Sequence, residues 1–286
     1  MARNPDDPQT LVSTGWLSDR LGDPDLLVLD GSWHLPGSGR DPAADFAAAR
    51  IPGARFFDID AIADPGSDLP HMAPPPAVFA RAVSALGYRD GMQVVVYDGS
   101  GLFSAPRVRW TFRLMGVSRV AVLDGGFPRW RAEGRPVEGG EAAAPAGSAT
   151  PRPNPAILAD RARVAHALAT GAAQVVDARP AARFAGAVPE PRPGLRAGHI
   201  PGSVNLPFAQ VLDPDGTMKD EAGLRAAFAA AGVDLGRPVI ATCGSGMTAA
   251  VLALALDRLG HRDHALYDGS WAEWGRGDGP VATTGG

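Results

Sequence analysis

The chain has a single cysteine, Cys243, and its neighbours are the residue types that make a thiol reactive. It stands in Ala241-Thr-Cys-Gly-Ser-Gly-Met-Thr-Ala249. Gly244 and Gly246 allow positive φ and a tight curl. A curled loop that feeds a helix turns backbone N–H groups inward, and these, with the helix dipole, favour a negative charge at the centre. A thiolate held there is a nucleophile. The alternative for a lone cysteine is a small buried hydrophobe. Its placement, with an apolar strand running in and a helical pattern starting just after it, favours the nucleophile.

One cysteine forms no disulfide within the chain and no cysteine-based zinc site, and it fits a reducing compartment. Lys219 is the only lysine, so a Schiff-base enzyme would have to use a residue in a turn-rich stretch. No Gly-Lys-Ser/Thr closes a phosphate-binding loop. A phosphatase-type loop would carry arginine six residues after its cysteine to grip phosphate in a bidentate fork; here that position is Ala249.

The elements that must position the cysteine come in two copies. Leu26–Ser32 is matched by Gln174–Arg179, Arg50–Ala54 by His199–Ser203, Val94–Ser100 by Val239–Ser245, and Leu123–Trp130 by Tyr267–Trp274, in order and at nearly constant separation. A repeat of this length is a duplicated domain. Val94–Tyr97, Val120–Leu123, Val239–Thr242 and His264–Tyr267 are short apolar runs that suit buried parallel strands. Thr248–Leu259, ended by Gly260, and Pro106–Met115 are predicted helices. Alternating strands and helices predict an α/β fold of two tandem domains, each a mostly parallel sheet flanked by helices. Ligands of such sheets bind beyond the carboxyl ends of the strands, where Cys243 falls. The Ala-, Gly- and Pro-rich stretch from Glu138 to Pro155 reads as a linker, which divides the chain into residues 1–138, a linker over 139–155, and residues 156–286.

The 286 residues suffice for two cores, and the 45% hydrophobic and 20% charged content is that of a globular protein. A net charge of -4 gives no reason to expect nucleic acid or an anionic membrane surface as partner. No apolar run approaches the about 18 residues of a membrane span. The first residues lack the apolar core of a signal peptide, so the expected location is cytoplasmic.

The loop resembles the active-site loop of the rhodanese superfamily, and its form C-G-S-G-x-T is similar to the mercaptopyruvate sulfurtransferase branch. The resemblance extends from about Leu11 to Trp274 and includes Gly198-His-Ile-Pro-Gly202 and the C-terminal Tyr267-Asp-Gly-Ser-Trp-Ala-Glu-Trp274. It implies a sulfurtransferase in which Cys243 carries a persulfide, the loop residues Gly244, Gly246, Met247 and Thr248 surround the bound sulfur, and the N-terminal copy is inactive. Asp98 stands where that copy would need its cysteine, and a carboxylate cannot carry a persulfide. Met247 replaces an expected valine and should face the core. The resemblance places two donor-binding arginines on Arg183 and Arg192, whose forks would suit the carboxylate and carbonyl of 3-mercaptopyruvate; a further arginine usual in that stretch is Ala185 here. It also implies a proton relay of Ser245, His71 and Asp60. His199, matched by Arg50 in the first copy, reads as structural. No metal or organic cofactor is implied, and the expected sulfur acceptor is cyanide or a thiol, thioredoxin among them.

Thiosulfate-using relatives place basic residues within the loop, whereas Gly244, Ser245 and Gly246 are neutral, which favours 3-mercaptopyruvate over thiosulfate. A thiosulfate:cyanide sulfurtransferase and a persulfide relay to a partner protein are the alternatives.

Overall fold

The computed structural model describes residues 5–142 and 146–284. These group into two compact units. The first takes the residues up to Pro65, Ala73–Asn154 and Leu212–Met218; the second takes Gly66–Met72, Pro155–Val211 and the residues from Lys219 on.

The first unit holds strands β1 (Leu11–Val12), β2 (Leu26–Asp30), β3 (Arg55–Phe56), β4 (Gln93–Tyr97) and β5 (Val120–Leu123). Its helices are α1 (Thr14–Ser18), α2 (Pro42–Ala48), α3 (Pro76–Ala85), α4 (Ala105–Leu114) and α5 (Gly126–Ala132). All strand pairs are parallel, in the order β1-β5-β4-β2-β3. The register sets Val95 beside both Val28 and Ala121. Every residue of β4 and β5 is buried, as expected of β-branched runs covered by helices on both faces. One core cluster joins Val28, Val95, Tyr97, Ala121, Leu123 and Trp130.

The second unit repeats this plan with β6 (Leu158–Ala159), β7 (Gln174–Asp177), β8 (Val204–Asn205), β9 (Val239–Thr242) and β10 (His264–Tyr267). Its helices are α6 (Arg161–Thr170), α7 (Ala181–Phe184), α8 (Glu221–Ala230), α9 (Ala249–Arg258) and α10 (Ser270–Trp274). The order is β6-β10-β9-β7-β8, again parallel throughout. Asp160 caps α6 by accepting from the Arg163 N–H, and Gly171 closes it in the left-handed region at φ 69°. A cluster of Val175, Ile240, Ala265, Tyr267, Trp271 and Trp274 forms the core.

The duplication read from the sequence recurs in single hydrogen bonds. The Trp130 indole donates to the Pro136 carbonyl at 2.7 Å and the Trp274 indole to Pro280 at 2.9 Å. Arg50 and His199 each begin an isolated bridge, with Glu138 and Ala282. The predicted strands hold to within one residue. The two predicted helices begin and end one residue off, at Ala249–Arg258 and Ala105–Leu114.

Among the described residues the stretch from Glu138 to Pro155 carries no helix or strand before Pro155; residues 143–145 lie outside the described residues, as do residues 1–4 and 285–286 at the ends of the two sequence domains. It is nonetheless pinned. Ser148 donates to Tyr88, Arg152 to Met115 and Asn154 to Leu114, all backbone to backbone. In both sheets the chain turns in opposite directions on either side of the central pair, β2 and β4 or β7 and β9. The crevice beyond their carboxyl ends is therefore the place for a ligand.

Candidate active site

Cys243 follows the last residue of β9 and precedes α9, and it is 2% exposed. Ser245 and Met247 are buried beside it, with Met247 in the core as expected. Gly246 has φ 75°, the left-handed conformation that the curl requires. The loop is tied to the strand β10–helix α10 turn. Trp271 N–H donates to the Cys243 carbonyl at 2.9 Å and Ala272 N–H to the Gly244 carbonyl at 2.8 Å.

The residue that organises this turn, Ser270, was not singled out by sequence reasoning. It is fully buried, and its Oγ accepts from the N–H groups of Cys243 (3.2 Å) and Gly246 (3.1 Å) while donating to the Tyr267 carbonyl (2.7 Å). Its φ is 48°, a conformation that costs a non-glycine residue about 1–3 kcal/mol. The first copy has Gly126 there, at φ 56°. A serine held where its repeat partner is glycine was the available signal.

The two copies treat the same loop differently. In the first, the Asp98 carboxylate fills the curl: Oδ1 accepts from Ser100 N–H (2.8 Å) and Oδ2 from the N–H groups of Phe103 (2.9 Å), Ser104 (2.9 Å) and Ala105 (2.8 Å). In the second, the N–H groups of Gly244, Ser245, Met247, Thr248 and Ala249 have no acceptor among the described residues. The curl is thus a cradle of N–H groups, filled by a carboxylate in one copy and, among the described residues, without an acceptor in the loop of Cys243 in the other.

Arg183, on α7, reaches this loop; a Cβ built on Gly244 would lie 3.0 Å from its Nη2. Glu190, also overlooked in the sequence, holds it. The Glu190 carboxylate is 1% exposed and pairs with Arg183 through Nε (3.2 Å) and through a very short contact with Nη2. Its Oε1 also accepts from Arg179 Nη1 at 2.8 Å, and Arg179 pairs with Asp177 at 2.7 Å. Arg179 is buried, and its guanidinium lies 4.5 Å from the Trp271 ring centroid. The adjacent carboxylates hold the Arg179 guanidinium above its ordinary range, against the opposing effect of burial.

His71 belongs to the first half of the sequence, yet its segment, Gly66–Met72, groups with the second unit. Local contacts give the reason. Arg192 Nη2 lies 3.1 Å from His71 Nε2, and Arg276 pairs with Asp68 at 2.9 Å. A guanidinium only donates, so Nε2 accepts and the ring proton sits on Nδ1. His71 is buried and has φ 58°. The structure therefore brings His71 together with Arg192, and Arg183 together with the Cys243 loop. Asp60 falls in the first unit, exposed, where its Oδ2 accepts from the Trp33 indole at 2.9 Å. His199 stacks on Phe184 at 3.8 Å and bonds the Phe184 carbonyl through Nδ1 at 2.8 Å, which agrees with a structural role.

Residues 13–133 and 160–276 each match the family described as Rhodanese-like domain. The chain is 43% identical over 272 residues to the 3-mercaptopyruvate sulfurtransferase of Escherichia coli K12, covering 94% of this chain and 96% of that protein. It is 44% identical over 282 residues to the thiosulfate sulfurtransferase of Bos taurus, covering 93% and 92%. The crystal structure of Escherichia coli SseA, presented as a 3-mercaptopyruvate sulfotransferase, superposes with a TM-score of 0.84 at 40% identity, covering 91% of this chain and 98% of that one.

Proposed function

Because the chain belongs to the rhodanese-like family, we propose that it is a sulfurtransferase that takes sulfur from 3-mercaptopyruvate onto Cys243 and passes it to a thiol or cyanide. The observation that carries this reading is the cradle of unmatched N–H groups around Cys243, set against the same cradle filled by Asp98 in the first copy.

In the first half-reaction the Cys243 thiolate attacks the donor sulfur. The donor C–S bond breaks, its electron pair passes to carbon, and the proton leaving the donor thiol ends on that carbon, giving pyruvate and a Cys243 persulfide anion. The loop N–H groups of Gly244, Ser245, Met247, Thr248 and Ala249 stabilise both anions, the thiolate before transfer and the persulfide after it. In the second half-reaction a thiolate or cyanide attacks the outer sulfur, and the S–S electron pair returns to Cys243. A covalent enzyme with two half-reactions gives ping-pong kinetics.

Arg183 and Arg192 orient the donor carboxylate and ketone. Glu190 keeps the Arg183 fork beside Gly244. Arg192 Nη2 meets His71 Nε2. A donor carboxylate that draws Arg192 away frees that nitrogen to carry the proton from thiol to carbon, with Ser245 as its partner in the relay.

Donor preference divides the relatives, since one is named for 3-mercaptopyruvate and another for thiosulfate. The neutral Gly244-Ser-Gly246 supports the former. Thioredoxin is one candidate acceptor, and a reducing cytoplasm suits a thiol that must return free after each turnover.

The test is pyruvate and thiocyanate formation with cyanide as acceptor, comparing 3-mercaptopyruvate and thiosulfate at equal concentration. Preference for mercaptopyruvate, with parallel double-reciprocal plots, is expected. Preference for thiosulfate would overturn the donor, and turnover retained in Cys243→Ser would overturn the mechanism.

A further inference from the structure

The first unit carries a cavity of about 620 Å³ beyond the carboxyl ends of β2 and β4, the switch point of its own sheet. Asp30, Ser32, Gly99, Phe127 and Arg131 line it. At the same point of the second unit stands a buried arginine, Arg179, paired with Asp177.

The two places correspond bond for bond. Ser32 N–H donates to Asp30 Oδ1 at 2.8 Å, as Arg179 N–H does to Asp177 Oδ1 at 2.9 Å. Gly31 N–H donates to the Tyr97 carbonyl at 2.8 Å, as Ala178 N–H does to Thr242 at 2.8 Å. Phe127 N–H donates to the Asp98 carbonyl at 3.0 Å, as Trp271 N–H does to Cys243 at 2.9 Å. In the second unit the Arg179 side chain fills the space, its guanidinium paired with Asp177 and lying over the Trp271 ring. In the first unit the arginine is Ser32, but the carboxyl (Asp30) and the ring (Phe127) remain.

We propose that this cavity binds a small guanidino acid, whose guanidinium takes the place of the missing arginine between Asp30 and Phe127 and whose carboxylate meets Arg131 at the rim. A guanidinium matches a carboxylate in a bidentate fork and stacks on an aromatic face, the two interactions that Arg179 makes in the second unit. Arg131 lies 5.9 Å from the Phe127 ring centroid, on the same wall. The other arginine of the lining, Arg40, is already paired with Asp45 at 2.7 Å, and Asp45 also bonds His34.

Burial pushes the Asp30 carboxyl up to about 6, helped by the neighbouring Asp98 and opposed by hydrogen bonds from Ser32 and Tyr97. A cation on Asp30 favours its ionised form, so binding should strengthen with pH up to about 6 and level off above it. The charged groups around Asp30 other than Asp98 are Arg40, Asp45 and Arg131 in the lining, with Arg50 near the Tyr97 hydroxyl.

The experiment is calorimetric titration of the whole protein with 4-guanidinobutyrate, with butyrate and agmatine as comparison probes. Saturable binding to one site is expected above pH 6, weakening about tenfold per pH unit below it. Butyrate should not bind, and agmatine, which puts a second cation near Arg131, should bind more weakly. Asp30→Asn should lower affinity at least tenfold with sulfur transfer unchanged, and Ser32→Arg should abolish binding by rebuilding the internal arginine. No saturable binding, equal binding of butyrate, or affinity unmoved by Asp30→Asn would each overturn the proposal, even if Ser32→Arg fails to fold.

Discussion

The residue that sets the surroundings of Cys243, the proposed nucleophile, is Ser270. Its hydroxyl accepts from two loop N–H groups while its backbone sits at positive φ. Ser270→Ala keeps the strained backbone and removes the acceptor. It should lower kcat/KM about 10- to 100-fold, the size of a lost preorganised contact. Ser270→Gly relieves the backbone and should melt higher than Ser270→Ala without regaining rate. Steady-state kinetics beside thermal unfolding separates the two effects, and equal rates for wild type and Ser270→Ala would remove Ser270 from the site. Glu190 is a second such residue. It is buried between Arg179 and Arg183, so Glu190→Gln leaves a buried guanidinium short of countercharge. A loss of about 3–5 kcal/mol in unfolding free energy is expected, with a raised KM for 3-mercaptopyruvate as Arg183 loosens.

At the scale of elements, one supersecondary unit, strand–curl–helix, appears twice with opposite contents. In β4–α4 the Asp98 carboxylate gathers four N–H groups, the last from the first residue of α4. It acts as a cap and an internal anion together. Asp98→Ala should cost about 2–4 kcal/mol, since several buried donors lose their acceptor at once. Circular dichroism during urea unfolding would measure it, and an unchanged midpoint would contradict the assignment. In β9–α9 the same donors have no acceptor among the described residues. In the proposed mechanism these donors meet the negative charge that forms at Cys243.

At the scale of the whole molecule, each unit has its own sheet and core, and titration should act on them unequally. Asp30 has a folded value near 6 against 3.8 when unfolded. The folded state therefore prefers the protonated carboxyl. The stability this contributes is complete below 3.8 and is lost as pH rises through 6, a change of about 3 kcal/mol. Asp30→Asn should gain over wild type above pH 6, and the gain should vanish toward pH 4. Urea midpoints for both proteins across that range test it; a gain constant with pH would rule out the ionisation of Asp30 as its cause. No helix among the described residues is long and apolar enough to cross a membrane.

The sequence by itself determined the α/β plan, the duplication, the strands to within a residue, and Cys243 at a strand end. Period, β-branched runs and glycine placement are local properties, and a repeat is legible as text. Only the tertiary structure decided which residues support the cysteine. Ser270 lies 27 residues from Cys243, and its role is visible only once β10 lies beside β9. Glu190 reads as one carboxylate among many until folding buries it between two arginines. The grouping of Gly66–Met72, and His71 with it, into the second unit follows from contacts with Arg192 and Arg276, which no local pattern encodes. The Asp30 cavity is the same case in reverse. The change from arginine to Ser32 is plain in the aligned repeats, but the space it leaves exists only where strand, loop and helix converge.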